Sequence, residues 1–158
     1  MKKLIVILSL ITLVGCKSKK AHQREPKPDE VVKLAVAQIN SSQKNKAYEL
    51  GKRVLMTCNT SKFKPFSTSE ATASVINNIT IEKLSKTCSK YRMWYGTFID
   101  LQLAEVYRNN NNQTTVYRFK ALYTKKVANK ELRVFVNSDN LISAIKSSDW
   151  TDTFTYNQ

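Results

Sequence analysis

Histidine is nearly absent from this 158-residue chain, and glycine and proline occur only three times each. The lone histidine, His22, lies in a polar stretch ahead of the patterned part of the chain, so histidine-based triads and histidine-rich metal sites are excluded beyond it. So few glycines provide no loop to cradle phosphates, which disfavours P-loop and Rossmann chemistry. G-x-S-x-G, H-E-x-x-H and C-x-x-C motifs are missing too. The sequence therefore points to no cofactor and no metal, and leaves enzymatic activity as a secondary reading. Acidic residues are scarce: 12 against 26 lysines and arginines, a net charge of +14. Nor is there an apolar run of the roughly 20 residues a bilayer-spanning helix requires. Leu4 to Val14 is about half that and is soon followed by Lys17, Lys19 and Lys20.

What the N-terminus does contain is more specific. Lys2 and Lys3 precede the apolar run, the layout of an export signal. Leu13-Val14-Gly15-Cys16 then places a cysteine directly after a small residue, where a soluble precursor would show an A-x-A-like site. These four residues resemble the lipobox of bacterial lipoprotein precursors. The resemblance implies that residues 1–15 are a signal peptide cleaved after Gly15. It also implies diacylglycerol on the Cys16 thiol and a further acyl chain, such as palmitate, on the freed amine. Two or three chains anchor far more firmly than a single myristoyl group. The expected location is the periplasmic face of an outer membrane, because Lys17 is not the aspartate that retains many such proteins at the inner membrane. A Gram-positive outer leaflet is the alternative.

Cleavage leaves 24 basic residues against 12 acidic ones, a mature charge of +12. Residues 16–28 comprise the lipidated cysteine and a basic spacer with Pro26 and Pro28 but no large apolar residue. Such a spacer is expected to be disordered, with a coil-like span of roughly 20 Å. Residues 29–158 have the length of one domain. The expected partners are the membrane, through the acyl chains, and another envelope protein or an anionic envelope polymer. Nucleic acid is not expected, since an exported protein meets little of it.

Val32, Ala35, Val36 and Ile39 recur at helical spacing from Asp29 and predict a first helix, interrupted at Asn40-Ser41-Ser42. Ala47, Leu50, Val54 and Cys58 predict a second, in which Gly51 suggests close packing. Ser67-Thr68-Ser69-Glu70 has capping-box spacing ahead of Thr72, Val75, Ile76 and Ile79, and Thr80 caps a fourth stretch lined by Ile81, Leu84, Cys88 and Tyr91. Gly96 ends the helical half. Cys58 and Cys88 each follow an apolar residue by four positions and so face inward. In an oxidising compartment they are a candidate disulfide, with two separate buried thiols as the alternative.

After Gly96 the period becomes two. Ile99, Leu101 and Leu103 alternate with Asp100 and Gln102, and Tyr117, Phe119, Ala121 and Tyr123 alternate with Arg118, Lys120 and Leu122. Leu132, Val134 and Val136 mark a third strand, and Asp139-Asn140 turns into a fourth at Leu141 to Ile145. The expectation is an α+β fold: N-terminal helices packed on a curved antiparallel sheet of about four strands. Helices, two long strands at Thr97 to Tyr107 and Thr114 to Thr124, then Glu131 to Val136 turning into Leu141 to Ile145, resemble the cystatin-like roll of nuclear transport factor two-like proteins. Several small bacterial lipoprotein families share that roll.

Enzymes of this roll use acids, histidines and tyrosines between the helices and the sheet. Asp100 with Tyr117 or Tyr123 would be the acid/base pair of a small isomerase or dehydratase, if a reversed or bulged register turned Asp100 inward. The plainer expectation is an exposed carboxylate paired with Arg118 or Lys120. Tyr91, Arg92, Trp94 and Tyr95, with Trp150 and Phe154 near the last strand, are candidates for a ligand cavity or partner surface, against ordinary core packing. Arg118, Lys120 and Arg133 fit one sheet face and are a candidate basic patch for anionic ligands, against a merely solvated face. Homodimerisation through the sheet is expected if Phe98 or Tyr117 faces outward. The leading reading is a lipid-anchored, non-enzymatic binding or accessory module for a protein, an apolar ligand or an anionic envelope polymer.

Overall fold

The computed structural model describes residues 31–125 and 130–156. The expected signal peptide, Cys16 and the spacer to residue 28 lie outside the described residues. The element order is β1 (Val31–Lys33), a short 3-10 turn at Val36–Gln38, α1 (Ser41–Thr60), α2 (Ala73–Asn78), α3 (Ile81–Tyr95), β2 (Phe98–Asn109), β3 (Thr114–Tyr123), β4 (Lys130–Val136) and β5 (Ile142–Asp149). The fold is α+β, with helices against one antiparallel sheet whose spatial order β1-β2-β3-β4-β5 follows the chain. Among the described residues there are five strands where about four were expected.

The additional strand replaces the predicted first helix. Val31, Val32 and Lys33 pair with Asn109, Arg108 and Tyr107 along the β2 edge. Leu34 extends the contact by donating its backbone N–H to the Val106 carbonyl at 2.8 Å. Two consecutive valines suit a pleated edge better than a helix. Asn40 then initiates α1 rather than merely interrupting a helix, its side chain accepting from the Gln43 backbone N–H at 3.0 Å.

α1 buries Ala47, Leu50 and Val54 against β2 and β4, as its spacing predicts. Gly51 permits that approach: a Cβ there would sit 2.8 Å from Leu132 Cδ2, 3.1 Å from Val134 Cγ2 and 3.3 Å from Leu101 Cδ1. The helix ends at Ser61, a left-handed residue at φ 56°. The predicted capping box forms only in part. Glu70 accepts from the Ser67 backbone N–H at 2.9 Å, but the same carboxylate binds Arg53 at 2.7 and 3.0 Å, and the helix begins after Thr72. Residues 70–72 are held instead at the edge of β5, where Thr72 N–H donates to the Ile142 carbonyl and Ile142 N–H to the Glu70 carbonyl.

Thr80 caps α3 through the Lys83 backbone N–H at 3.4 Å, and Gly96 ends it at φ 80°. A side chain at Gly96 would collide with Thr124 Oγ1, 2.2 Å from an ideal Cβ. Helix α3 packs mainly on α1 and buries no residue completely.

Strand alternation holds in β3, where Tyr117, Phe119, Ala121 and Tyr123 enter the core. In β4, Leu132, Val134 and Val136 do the same. It fails in β2, which is bulged between Phe98 and Asp100 and again between Leu103 and Glu105. The first bulge turns Phe98 inward and leaves Ile99, expected in the core, 54% exposed. Residues 150–156 follow β5 without forming a strand and supply the outer sheet face with aromatic contacts. Every residue of β4 is consequently buried, on both faces of the sheet.

Candidate functional site

Three places carry chemistry, and the outer sheet face is the most elaborately built. Register sets Glu105 of β2 opposite Arg118 of β3, and Arg118 opposite Arg133 of β4. Arg118 is fully buried. Its Nε donates to Glu131 at 2.6 Å, one terminal nitrogen to Glu105 at 2.7 Å, and the other to the Thr151 carbonyl. Arg133 donates to the second oxygen of Glu131 and, at 2.6 Å, to the Thr155 carbonyl. Ser148 donates to Glu131 at 2.8 Å, and Lys33 to Glu105 at 2.7 Å.

Burial alone would raise the two carboxyl pKa values, but the surrounding donors outweigh it. Glu131 is held below the ordinary value by hydrogen bonds from Arg118, Ser148 and Arg133, and Glu105 by those from Lys33 and Arg118. Burial likewise works against the Arg118 cation, yet Glu131 and Glu105 raise its pKa. The cluster is thus ionised at neutral pH: three cations, Lys33, Arg118 and Arg133, against two carboxylates.

Residues 150–156 close this face. The Trp150 ring lies over the Arg118 guanidinium at 3.7 Å, with Lys120 Nζ 4.8 Å from the same ring. Phe154 stacks on Tyr107 at 3.8 Å and 9°, and its ring is 4.8 Å from the Arg133 guanidinium. Tyr156 meets Phe135 edge-on at 6.1 Å, and Asn112 donates to its hydroxyl at 3.3 Å. The expected open patch of Arg118, Lys120 and Arg133 is therefore corrected. The sheet does gather the three residues on one face, but both guanidiniums are enclosed among carboxylates, carbonyls and rings. The cause is cross-strand charge pairing in β2 to β4 together with the aromatic cover.

The second place is an apolar groove of about 160 Å³ between α1, α3 and the β4–β5 edge, lined by residues that include Val54, Leu55, Leu84, Tyr91, Leu132 and Ile145. The Cys58–Cys88 disulfide joins α1 to α3 beside it, with Cα atoms 4.8 Å apart. Tyr91 crosses to the sheet by donating to Ser147 Oγ at 3.2 Å, and Tyr95 packs on Tyr123 at 5.6 Å. The aromatic segment is thus divided. Tyr91 and Tyr95 face the core, whereas Arg92, Met93 and Trp94 face solvent, the last two 64% and 59% exposed. Trp150 belongs to the outer face and not to this groove.

The third place is Asp100. It accepts from the Tyr48 hydroxyl at 2.6 Å and pairs with Lys52 at 3.0 Å, its side chain 42% exposed. The Tyr48 hydrogen bond, followed by that of Lys52, holds the carboxyl below its ordinary pKa. Neither Arg118 nor Lys120 is its partner: Tyr48 and Lys52, which bind it, both come from α1. Tyr117 is buried and directs its hydroxyl at Gln43, 3.3 Å away, and burial pushes its pKa up to about 12. Burial also raises Tyr123, which lies between Tyr95 and Phe98. The residues of the supposed acid/base pocket therefore serve three separate environments. Phe98 and Tyr117, proposed for a sheet dimer, both face the core.

Sequence reasoning missed Glu105, Glu131, Ser148 and Tyr107. The opposed charges of Glu131 and Arg133, two positions apart and so on one face, were the available signal. Among the described residues, no group of three or more acidic, histidine or cysteine side chains could hold a metal ion. No described helix is long and apolar enough to cross a membrane. No family model, curated protein or solved structure matches the chain.

Proposed function

We propose that this chain is a lipid-anchored cell-envelope protein acting as a non-enzymatic binding module. The observation that carries the reading is Leu13-Val14-Gly15-Cys16 directly after a basic and apolar N-terminus. The proposed location is the periplasmic face of an outer membrane, with Cys16 acyl chains as the anchor and an envelope protein or anionic envelope polymer as the partner. The cystatin-like roll is the finer fold we infer. It is supported by one strand preceding the helices and four following them, in a sheet whose order is the chain order. The ion-paired state of Asp100 favours a binding role over an isomerase, because a carboxylate with lowered pKa is a weaker general base.

Globomycin treatment and Cys16→Ala test the anchor. The expected result is accumulation of a larger precursor with globomycin and loss of acyl labelling with the substitution. Unchanged size, labelling and membrane partitioning in both would overturn it.

A further inference from the structure

Segment 150–156 reads Trp-Thr-Asp-Thr-Phe-Thr-Tyr, one acid and three aromatics with no basic residue. It rests on a face bearing Lys33, Arg118, Lys120 and Arg133, whereas Asp149 pairs with Lys130 at 2.7 Å on the helix-facing side of the sheet, beside Tyr91 and Tyr95. The β4–β5 ladder ends at Asp149. Beyond it the contacts are those of a peptide in a groove: carbonyls of Thr151 and Thr155 facing two guanidiniums, and rings at 150, 154 and 156 on Arg118, Tyr107 and Phe135. We propose that the outer face of β2–β4 is a recognition groove for an extended acidic and aromatic segment of a partner protein, covered here by the chain's own residues 150–156.

Lifting that segment does not strand a buried cation, since Arg118 keeps Glu105 and Glu131, and Arg133 keeps Glu131. An open face has two surplus positive charges among Lys33, Arg118, Lys120, Arg133, Glu105 and Glu131, plus the exposed faces of Tyr107 and Phe135. These features select a peptide with carboxylates beside aromatic rings and resist a purely basic one. The chain's own segment competes at high effective concentration and sets the threshold a partner must exceed. This groove is the site of the binding-module reading above and does not depend on Cys16. Loss of lipidation with peptide binding intact would overturn the anchor alone.

The test uses the full chain, a Trp150→Ala/Phe154→Ala variant, and a fluorescein-labelled peptide of residues 150–156. Fluorescence anisotropy is expected to show the variant binding the peptide at least tenfold more tightly than the unsubstituted chain. Binding should weaken with salt and disappear with Arg133→Ala or with an alanine-for-aromatic peptide. A variant with native circular dichroism and an intact disulfide that binds no peptide would overturn the proposal. So would equal binding by both chains, or equal competition by polyglutamate. Hydrogen exchange on the unsubstituted chain covers a variant that fails to fold: saturating peptide should speed exchange in 150–156 while β3 and β4 stay protected, and unchanged exchange counts against the groove. A two-chain light-scattering mass, abolished by the double substitution, would assign the groove to a second copy and overturn a separate partner.

Discussion

Removing the cross-link between Cys58 and Cys88 is expected to loosen one helix before it loosens the sheet. The two cysteines are 30 residues apart, and closing a loop of that size lowers the unfolded-chain entropy by about 12 cal/mol/K, or about 3.6 kcal/mol at 25 °C. In a domain of this size each kcal/mol corresponds to roughly 3–4 °C of melting temperature, so Cys58→Ala/Cys88→Ala should melt about 10–14 °C lower. The alanines replace small inward-facing groups and should add little cavity cost. Helix α3 has no completely buried residue, packs mainly on α1, and borders the apolar groove of about 160 Å³. Its amides should therefore gain exchange rate more than those of β3 and β4. Differential scanning calorimetry and amide exchange, with the reduced unsubstituted protein as a second route to the same state, measure both parts. A melting temperature within about 3 °C of the parent would refute the loop-entropy magnitude. A uniform rise in exchange would refute the assignment of the cross-link to α3.

Gly51→Ala sets a helix-propensity gain of about 1 kcal/mol against overpacking of about 1–3 kcal/mol, because its Cβ would meet three core side chains at 2.8, 3.1 and 3.3 Å. Urea denaturation should show a net loss of about 1 kcal/mol; a stabilised variant would show that Leu132 yields without cost. Arg118→Ala leaves Glu105 and Glu131 without their shared cation in a closed face, and should cost about 3–5 kcal/mol in the same assay. A loss below 1 kcal/mol would mean that water replaces the guanidinium freely. Glu70 is lowered from 4.5 to about 2, chiefly by its Arg53 hydrogen bond, so its stabilisation is present above pH 4.5 and is lost as pH falls toward 2. With screening of a partly exposed pair the effect is on the order of 1 kcal/mol, and Glu70→Gln should flatten that part of the stability profile. An unchanged acid limb would refute it.

Periodicity was informative where one face of an element decides its burial. Ala47, Leu50 and Val54 gave α1, Tyr117 to Tyr123 gave β3, and Leu132 to Val136 gave β4, because a core-facing row repeats at the period of its backbone. It misled at Val32, Ala35, Val36 and Ile39. There four apolar residues match a helical row by spacing, but an edge of β2 is available and Asn40 opens a helix of its own. The pattern cannot record a competing partner more than seventy residues away. The bulge at Ile99 was invisible for a related reason. A single inserted residue shifts the parity of a strand, and the sequence shows parity only after the partner's register is known.

The outer face was harder still, because its residues are individually ordinary. An arginine two positions from another outward residue on a strand reads as solvated, and a segment of threonine, aspartate and aromatics reads as a loop. Together they bury Arg118, Glu131 and most of Arg133. The energetic consequence extends to the fold, because β3 and β4 carry large apolar residues on both faces, Val116 and Phe135 outward as well as Tyr117 and Val134 inward. Hydrophobicity alone therefore specifies weakly which face of these strands meets the helices. A one-residue rotation in register would carry Arg118, Glu131 and Arg133 into the apolar layer beneath α1, away from the Thr151 and Thr155 carbonyls and the Trp150 ring. Unpaired charges there would cost several kcal/mol, more than the exchange of one apolar face for another. The ionic layer that supports the proposed groove is thus also what orients the two central strands.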